Sequence, residues 1–387
     1  MALSQFANPI DASSTKFLIK PMISVIFCFG AAVCAQAQNA QPSTTYEAWT
    51  ATTQTSVENT SPSRTTQSHV SSGNKSVEKQ TVEALGPNGQ YQPTSETEKE
   101  TIHVNATTTR TTMRTYSWDV NGQRNLQQVT EEEARSSTSG DVHVIRTSSE
   151  SDGNGNLQII QREVADTRKT SPDVQETKTT TYLPNGNGEL TASLQTQELQ
   201  KRGANHRVDL KKTLLRPNSS GAWDVAEVKE TTIDEGNKNR TSEERISRPD
   251  SEGGLSEVSR RVGKETENAA GEKNSTVETY FTNAPGVAAD GGLRLNWQVT
   301  TVQKTDSGGK TIEEHRKQPN PNDPNGSLQV NTRTKYVVRY AASGTDETKT
   351  IQERDINDAF HVASVETRKS DQAPAPQVQA APSEKPK

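Results

Sequence analysis

One stretch of the chain has ligand-like spacing. Asp152-Gly-Asn154-Gly-Asn156-Leu-Gln-Ile159-Ile-Gln-Arg-Glu163 puts Asp, Asn, Asn and Glu at positions 1, 3, 5 and 12 of a calcium loop. That spacing would fold oxygen ligands around a hard cation. Position 6, where such a loop needs glycine, is Leu157, and no helical pattern flanks the segment. The stretch reads as a β-turn. Six histidines follow no ligand spacing: His69, His103, His143, His206, His315 and His361. Serine and aspartate abound without a Gly-x-Ser-x-Gly elbow, and there is no phosphate-cradling glycine loop. The chain is therefore expected not to be an enzyme. It is expected to carry no catalytic, cofactor-binding or metal-ligating residue and no cofactor.

The elements that could position any chemistry are limited by composition. Only 28% of the 387 residues are hydrophobic and 4% aromatic, and mean hydropathy is −0.90. An average globular chain is about 45–50% apolar with glycine counted, so a thick two-layer core is excluded. Lys and Arg number 44 and Asp and Glu 49, a formal net charge of −5. That near balance argues against nucleic acid as a partner, which calls for a basic patch.

The N-terminus reads as an export signal. Lys16 and Lys20 precede an apolar run from Pro21 to Val33, too short to span a bilayer, and Ala35-Gln-Ala37 supplies a small-residue cleavage site. Cleavage is expected after Ala37. Both cysteines, Cys28 and Cys34, lie inside this segment. The mature chain then has no disulfide and no thiolate, which suits an exported bacterial protein.

A period near 33 residues organises the rest. Leu183-Pro-Asn-Gly-Asn-Gly-Glu-Leu190, Arg216-Pro-Asn-Ser-Ser-Gly-Ala-Trp223 and Arg248-Pro-Asp-Ser-Glu-Gly-Gly-Leu255 each end in glycine, a small or polar residue and a large apolar one. Extended outward, the anchor glycines are Gly89, Gly122, Gly155, Gly188, Gly221, Gly253, Gly291 and Gly326, with a degenerate unit at Asp358-Ala-Phe360. A second turn signal follows each anchor, as at Gly140, Gly203, Gly236, Gly271 and Gly344. Tight turns need positive φ, which glycine supplies without strain.

Between turns lie segments rich in Thr, Val and Ile, with period-2 alternation in Leu293-Arg-Leu-Asn-Trp-Gln-Val299. They are predicted to be strands. Trp223 and Val225 are followed by Val228, a slip of one that a β-bulge explains. One unit holds too few large apolar residues to fold alone, so stability must come from neighbouring units. A wholly disordered chain is the rival reading.

The turns Ser117-Trp-Asp-Val-Asn-Gly122 and Tyr182-Leu-Pro-Asn-Gly-Asn-Gly-Glu-Leu190 resemble those of bacterial YD (RHS-type) repeats, in which an aromatic residue and Asp precede a Gly-x-Leu hairpin. The period here is longer, and most units lack the Tyr-Asp pair. The units are also similar to uncharacterised exported bacterial β-repeat proteins. The resemblance implies an exported β-repeat architecture and no activity.

The fold class expected is all-β, an elongated antiparallel array of about nine two-strand units. The segments expected are a signal peptide over 1–37, a Thr/Ser/Gln-rich segment with one degenerate repeat over 38–75, the array over 76–371 and a Pro/Ala-rich disordered tail over 372–387. A transmembrane barrel would need a lipid-facing apolar row on nearly every strand. Glu243-Glu-Arg-Ile-Ser-Arg248 and Glu313-Glu-His-Arg-Lys-Gln318 cannot supply one. The expectation is thus no membrane span in the mature chain. The function expected is a structural or interaction module of the periplasm, cell surface or extracellular space, with envelope glycan or protein as partner. The alternative is a periplasmic carrier gripping lipid or unfolded chains along a β groove.

Overall fold

The computed structural model describes residues 47–57, 60–152, 154–282, 292–319, 328–341, 344–355 and 357–372. The expected signal peptide, most of the expected tail, Gly291 and Gly326 lie outside the described residues. Among those described there are twenty strands: β1 (Glu47–Val57), β2 (Ser63–Ser72), β3 (Lys75–Leu85), β4 (Tyr91–Asn105), β5 (Thr108–Trp118), β6 (Arg124–Ser136), β7 (Val142–Ser151), β8 (Leu157–Ser171), β9 (Val174–Pro184) and β10 (Leu190–Arg202), then β11 (Arg207–Pro217), β12 (Trp223–Glu235), β13 (Asn239–Pro249), β14 (Leu255–Glu267), β15 (Lys273–Thr282), β16 (Leu293–Asp306), β17 (Gly309–Gln318), β18 (Gln329–Ala341), β19 (Gly344–Arg354) and β20 (Phe360–Gln372).

Each strand pairs antiparallel with the next in sequence. The first also pairs with the last: Ala51–Val57 lies against Glu366–Gln372. The sheet is a closed up-and-down barrel. The expected elongated array is therefore wrong. Local patterning carried no signal for the seam, whose partners lie some three hundred residues apart. β3–β20 make eighteen strands, and β1 and β2 come from residues 47–72, in the segment read as holding one degenerate unit.

Closure overturns four further expectations. It leaves no free sheet edge and no open groove, so neither the extended surface module nor the carrier has a counterpart in the structure. The units are hairpins of one ring, so the likeness to YD repeats stops at the turns and the reading of independent periplasmic repeats fails. The expectation of no membrane span falls as well. A closed barrel satisfies every backbone group internally and is the one β architecture able to cross a bilayer. No helix among the described residues is long and apolar enough to do so.

Two rims differ in their turns. At the anchor rim most loops are five residues long, and the β15–β16 and β17–β18 connections are ten. In Asn218–Ala222 the Asn218 side-chain oxygen accepts the backbone N–H groups of Ser220 and Ala222 at 3.0 Å, and Gly221 sits at φ +81°. This is a type I turn closed by a left-handed glycine. Asp358 takes the glycine's place in the last unit, at φ +65°. The opposite rim uses mostly tighter connections, such as Ser72 to Lys75.

Nine hairpins carry one extra residue a few positions inside the anchor rim, as where Leu214 faces Glu227 and Leu215 faces Val225. This is the predicted phase slip, present as a β-bulge. Bulges bend and coil a strand, which helps a sheet curve shut.

Followed from partner to partner once around the wall, the stagger is about 22 residues. With twenty strands that gives a tilt of about 37° and a backbone diameter of about 38 Å. The wall is one sheet thick. Only Val129, Val228 and Val338 are buried apolar residues among those described, and no large side chain is fully buried. The low apolar content is what a coreless wall requires.

Candidate functional site: the two faces of the barrel wall

Strand side chains alternate between faces, and the register assigns each residue to one of them. Next to the bulges, Glu96, Val129, Gln195 and Val228 on one face are buried. Farther from the anchor rim the same face is the more exposed one and holds Glu131, Gln197, Lys211, Glu230, Arg245 and Lys335, whose neighbours Glu132, Thr196, Lys229, Glu244 and Thr334 on the other face are half-buried. Side chains splay on the convex side of a curved wall and converge on the concave side. The exposed face is thus the outer one and its partner lines the lumen.

The lumen face divides around the ring. Over β1–β9 it is largely hydroxyl and amide. Gln67 bonds Gln80 at 3.5 Å, Thr101 lies 3.5 Å from Thr111, Thr130 3.2 Å from Ser148 and Thr167 3.0 Å from Thr177. The seam continues this, with Thr53 Oγ1 3.0 Å from Ser370 Oγ. Over β10–β17 the lumen face carries many more charges, several of them paired: Lys229 with Glu244 at 2.6 Å and Arg248 with Glu227 at 2.9 Å.

The outer face divides along the axis instead. Next to the anchor rim runs an apolar belt: Leu85, Tyr91, Tyr116, Trp118 and Leu126 on β3–β6, then Leu157 through Tyr182, Leu190, Leu215, Trp223, Leu255, Tyr280 and Leu293 to Leu295 on β8–β16. Leu157 and Leu255 are 46% and 53% exposed, so no described residue covers them. The large apolar residue after most anchor glycines is its first row; after Gly122 that place is taken by Arg124. Farther from that rim the face is ionic. Lys79 meets Glu96 at 2.8 Å, Lys211 meets Glu230 at 2.9 Å and Arg245 meets Glu243 at 2.8 Å, while Arg124 reaches from the belt's first row to Glu98 at 2.8 Å. Arg124 also bonds Glu96, and its guanidinium lies 3.5 Å from the Tyr116 ring centre.

The residues of the calcium-like stretch separate. Asp152 Oδ1 accepts the backbone N–H groups of Asn154 and Asn156. Its carboxyl is held below the ordinary aspartate range, first by the Asn156 side chain and then by the Asn154 backbone. Glu163 lies on the lumen face, 3.2 Å from Arg146. The histidines stay apart. His69 stacks on Trp49 at 5.9 Å, His103 lies 3.2 Å from Thr109 and His143 lies 2.7 Å from Asp166. His206 ends a 3-10 turn, and His315 and His361 stand exposed on β17 and β20. No group of three potential metal ligands occurs among the described residues.

No family model matches the chain, and no curated protein sequence does. Among solved structures, OccK3 (OpdO) of Pseudomonas aeruginosa is similar at TM-score 0.41 and 8% identity, covering 85% of this chain and 95% of that one. The alcaligin outer-membrane receptor FauA of Bordetella pertussis follows at 0.33 and 8%, covering 86% and 77%. OmpT of Vibrio cholerae stands at 0.25 and 9%, covering 85% and 98%. Likeness at this level adds nothing to the barrel that the chain's own hydrogen bonds define.

Proposed function

We propose that the protein is a non-enzymatic, water-filled channel for polar solutes, seated in the bacterial outer membrane by its anchor rim. The observation that carries this reading is the closed ring with a polar lumen. A backbone diameter of about 38 Å leaves a bore of about 25 Å once side chains are allowed for. Hydroxyls, amides and charges of both signs make up most of the lining, beside an aromatic pair at Phe281 and Trp297, and they favour water and hydrated solutes over lipid.

The outer face supports the seating. A ring of Leu, Tyr and Trp at one height is what hydrocarbon and its interface accept. The belt extends about 10 Å along the axis, from the rim to the bulges. Beyond it, burying paired charges would still cost several kcal/mol for each ion. The ion-paired part of the wall therefore stands in headgroups and water, and the belt alone enters hydrocarbon.

The test is reconstitution of the full chain into liposomes and planar bilayers. Co-flotation with the vesicles together with stable, large, weakly selective conductance steps is the expected result. Flotation without conductance would end the channel reading and leave the seating. Failure to float would end both.

A further inference from the structure

The apolar belt is interrupted on β17 and β19. At the belt positions β17 offers Lys317 and β19 offers Gln352, with Val330 between them on β18, and His315 and Arg333 stand just beyond the bulge on the same face. His315 and Arg333 are cross-strand partners, and Arg333 in turn partners Gln352. The wall is dished here, in a shallow depression lined by His315, Arg333, Lys335, Thr350, Gln352 and Glu313. Glu313 is the one acid of the set, and Lys335 holds it at 3.1 Å. His315, Lys317 and Arg333 have no carboxylate partner among the described residues. The Arg333 guanidinium rests 3.9 Å from the centre of the Phe360 ring. Apolar side chains resume on both sides, Leu293 and Leu295 on β16 and Phe360 and Val362 on β20.

We propose that this depression binds the phosphate headgroup of a phospholipid whose acyl chains lie on the flanking belt residues. The proposal rests on the membrane seating above. Three features meet at one place: polar residues at the inner edge of the apolar belt, the Lys317 and Arg333 cations free of acid partners among the described residues, and a concave surface. A guanidinium donates two parallel N–H groups to phosphate oxygens. Lys317 and the amide of Gln352 add donors on the same face. An inorganic anion would use the donors and leave the flanking leucines wet, and a phosphate-free lipid would do the reverse. Only a molecule with both parts satisfies the whole surface.

The test uses the full chain in detergent, native mass spectrometry and dihexanoyl phosphatidylglycerol as probe. One lipid is expected to be retained per barrel, and Arg333→Gln and His315→Gln each to weaken retention about tenfold, the loss of one charge-assisted hydrogen bond. Arg333→Lys, which keeps the charge and loses the fork, should fall between, and covers the case in which Arg333→Gln fails to fold. Lys211→Gln, on the ion-paired wall, should retain lipid as the parent does. Equal retention of a monoacylglycerol would reduce the site to apolar contact and overturn the proposal. So would inorganic phosphate binding as tightly as the lipid, or equal losses in the Lys211 variant. Lipid retention is read without conductance, so a conducting barrel that keeps no lipid would overturn this site alone. A silent barrel that keeps it would overturn the channel alone.

Discussion

The two rims of the barrel are built differently from the same chain. The anchor rim has mostly five-residue turns with a side-chain cap and a left-handed glycine, a bulge inside nearly every hairpin, and an apolar belt on its outer face. The opposite rim has mostly short connections, and its outer face is ionic, as at Lys75 with Glu100 and Arg110 with Glu133. The difference shows where a repeating sequence spends its specificity. Turn chemistry, curvature and solvent preference coincide at one rim, and the strands then run outward on threonine, charge pairs and backbone bonds.

Removing one strand should break this comparison most severely. Deleting residues 189–203 leaves nineteen strands, and an antiparallel ring cannot close on an odd number. Every downstream anchor turn would also land on the wrong rim. Deleting residues 189–221 removes a whole hairpin and leaves eighteen, which can close. The first variant should lose protease resistance and β-type circular dichroism, and the second should keep both. Equal damage in the two would mean that the ring does not tolerate resizing.

The belt comes next. Leu190→Asp, Leu255→Asp or Leu293→Asp places a charge on the face assigned to lipid and removes the burial of a leucine side chain, about 1.5–3 kcal/mol each. Vesicle partition should fall about tenfold or more for each. Lys201→Asp, on the same face at the other rim, should leave partition unchanged. Equal effects at the two rims would remove the axial division of the outer wall.

Turn variants sharpen the comparison at smaller magnitude. Gly188→Ala, at φ +82°, should cost about 1 kcal/mol in denaturant unfolding. Gly236→Ala, at the opposite rim and not in the left-handed region, should cost less. Asn218→Ala removes the acceptor for two backbone N–H groups and should cost about 1 kcal/mol.

The smallest effect is one of pH. Asp250, like Asp152, is held below the usual aspartate range, chiefly by the Ser256 hydroxyl and then by the Gly254 backbone. A carboxyl depressed in the folded state contributes stability above its unfolded pKa, about 3.9, and loses that contribution as pH falls through the lower folded value. Amide exchange at the Asp152 and Asp250 turns should quicken below about pH 4, while the Asn185 and Asn218 turns, capped by amides that do not titrate, stay protected. Uniform quickening would mean that the caps do not govern the turns.

These contrasts also explain what could be read in advance. Glycines at fixed spacing announced the hairpins, and the Val225-to-Val228 slip announced the bulges, because both are local and repeated. The first row of the belt was legible as the apolar residue after most anchor glycines, although its meaning was not. Glu243–Arg248 and Glu313–Gln318 pointed away from a transmembrane barrel because an apolar row was sought along whole strands. The structure concentrates that row in the first positions inside one rim. The depression on β17–β19 had no sequence signal, since His315, Arg333 and Gln352 come from three strands and meet only through register.

The seam has a mechanical consequence. It joins Ala51–Val57 to Glu366–Gln372, and the described chain enters and leaves at the opposite rim, beside the same end of that ladder. A load applied between the two ends would not shear the hydrogen bonds of the seam together. It would peel them in succession, starting at Ala51 and Gln372, as a zipper opens from its free end. Single-molecule extension from the termini should show the ring opening at low force, before any hairpin yields, and then hairpins released one at a time in steps set by the 33-residue period.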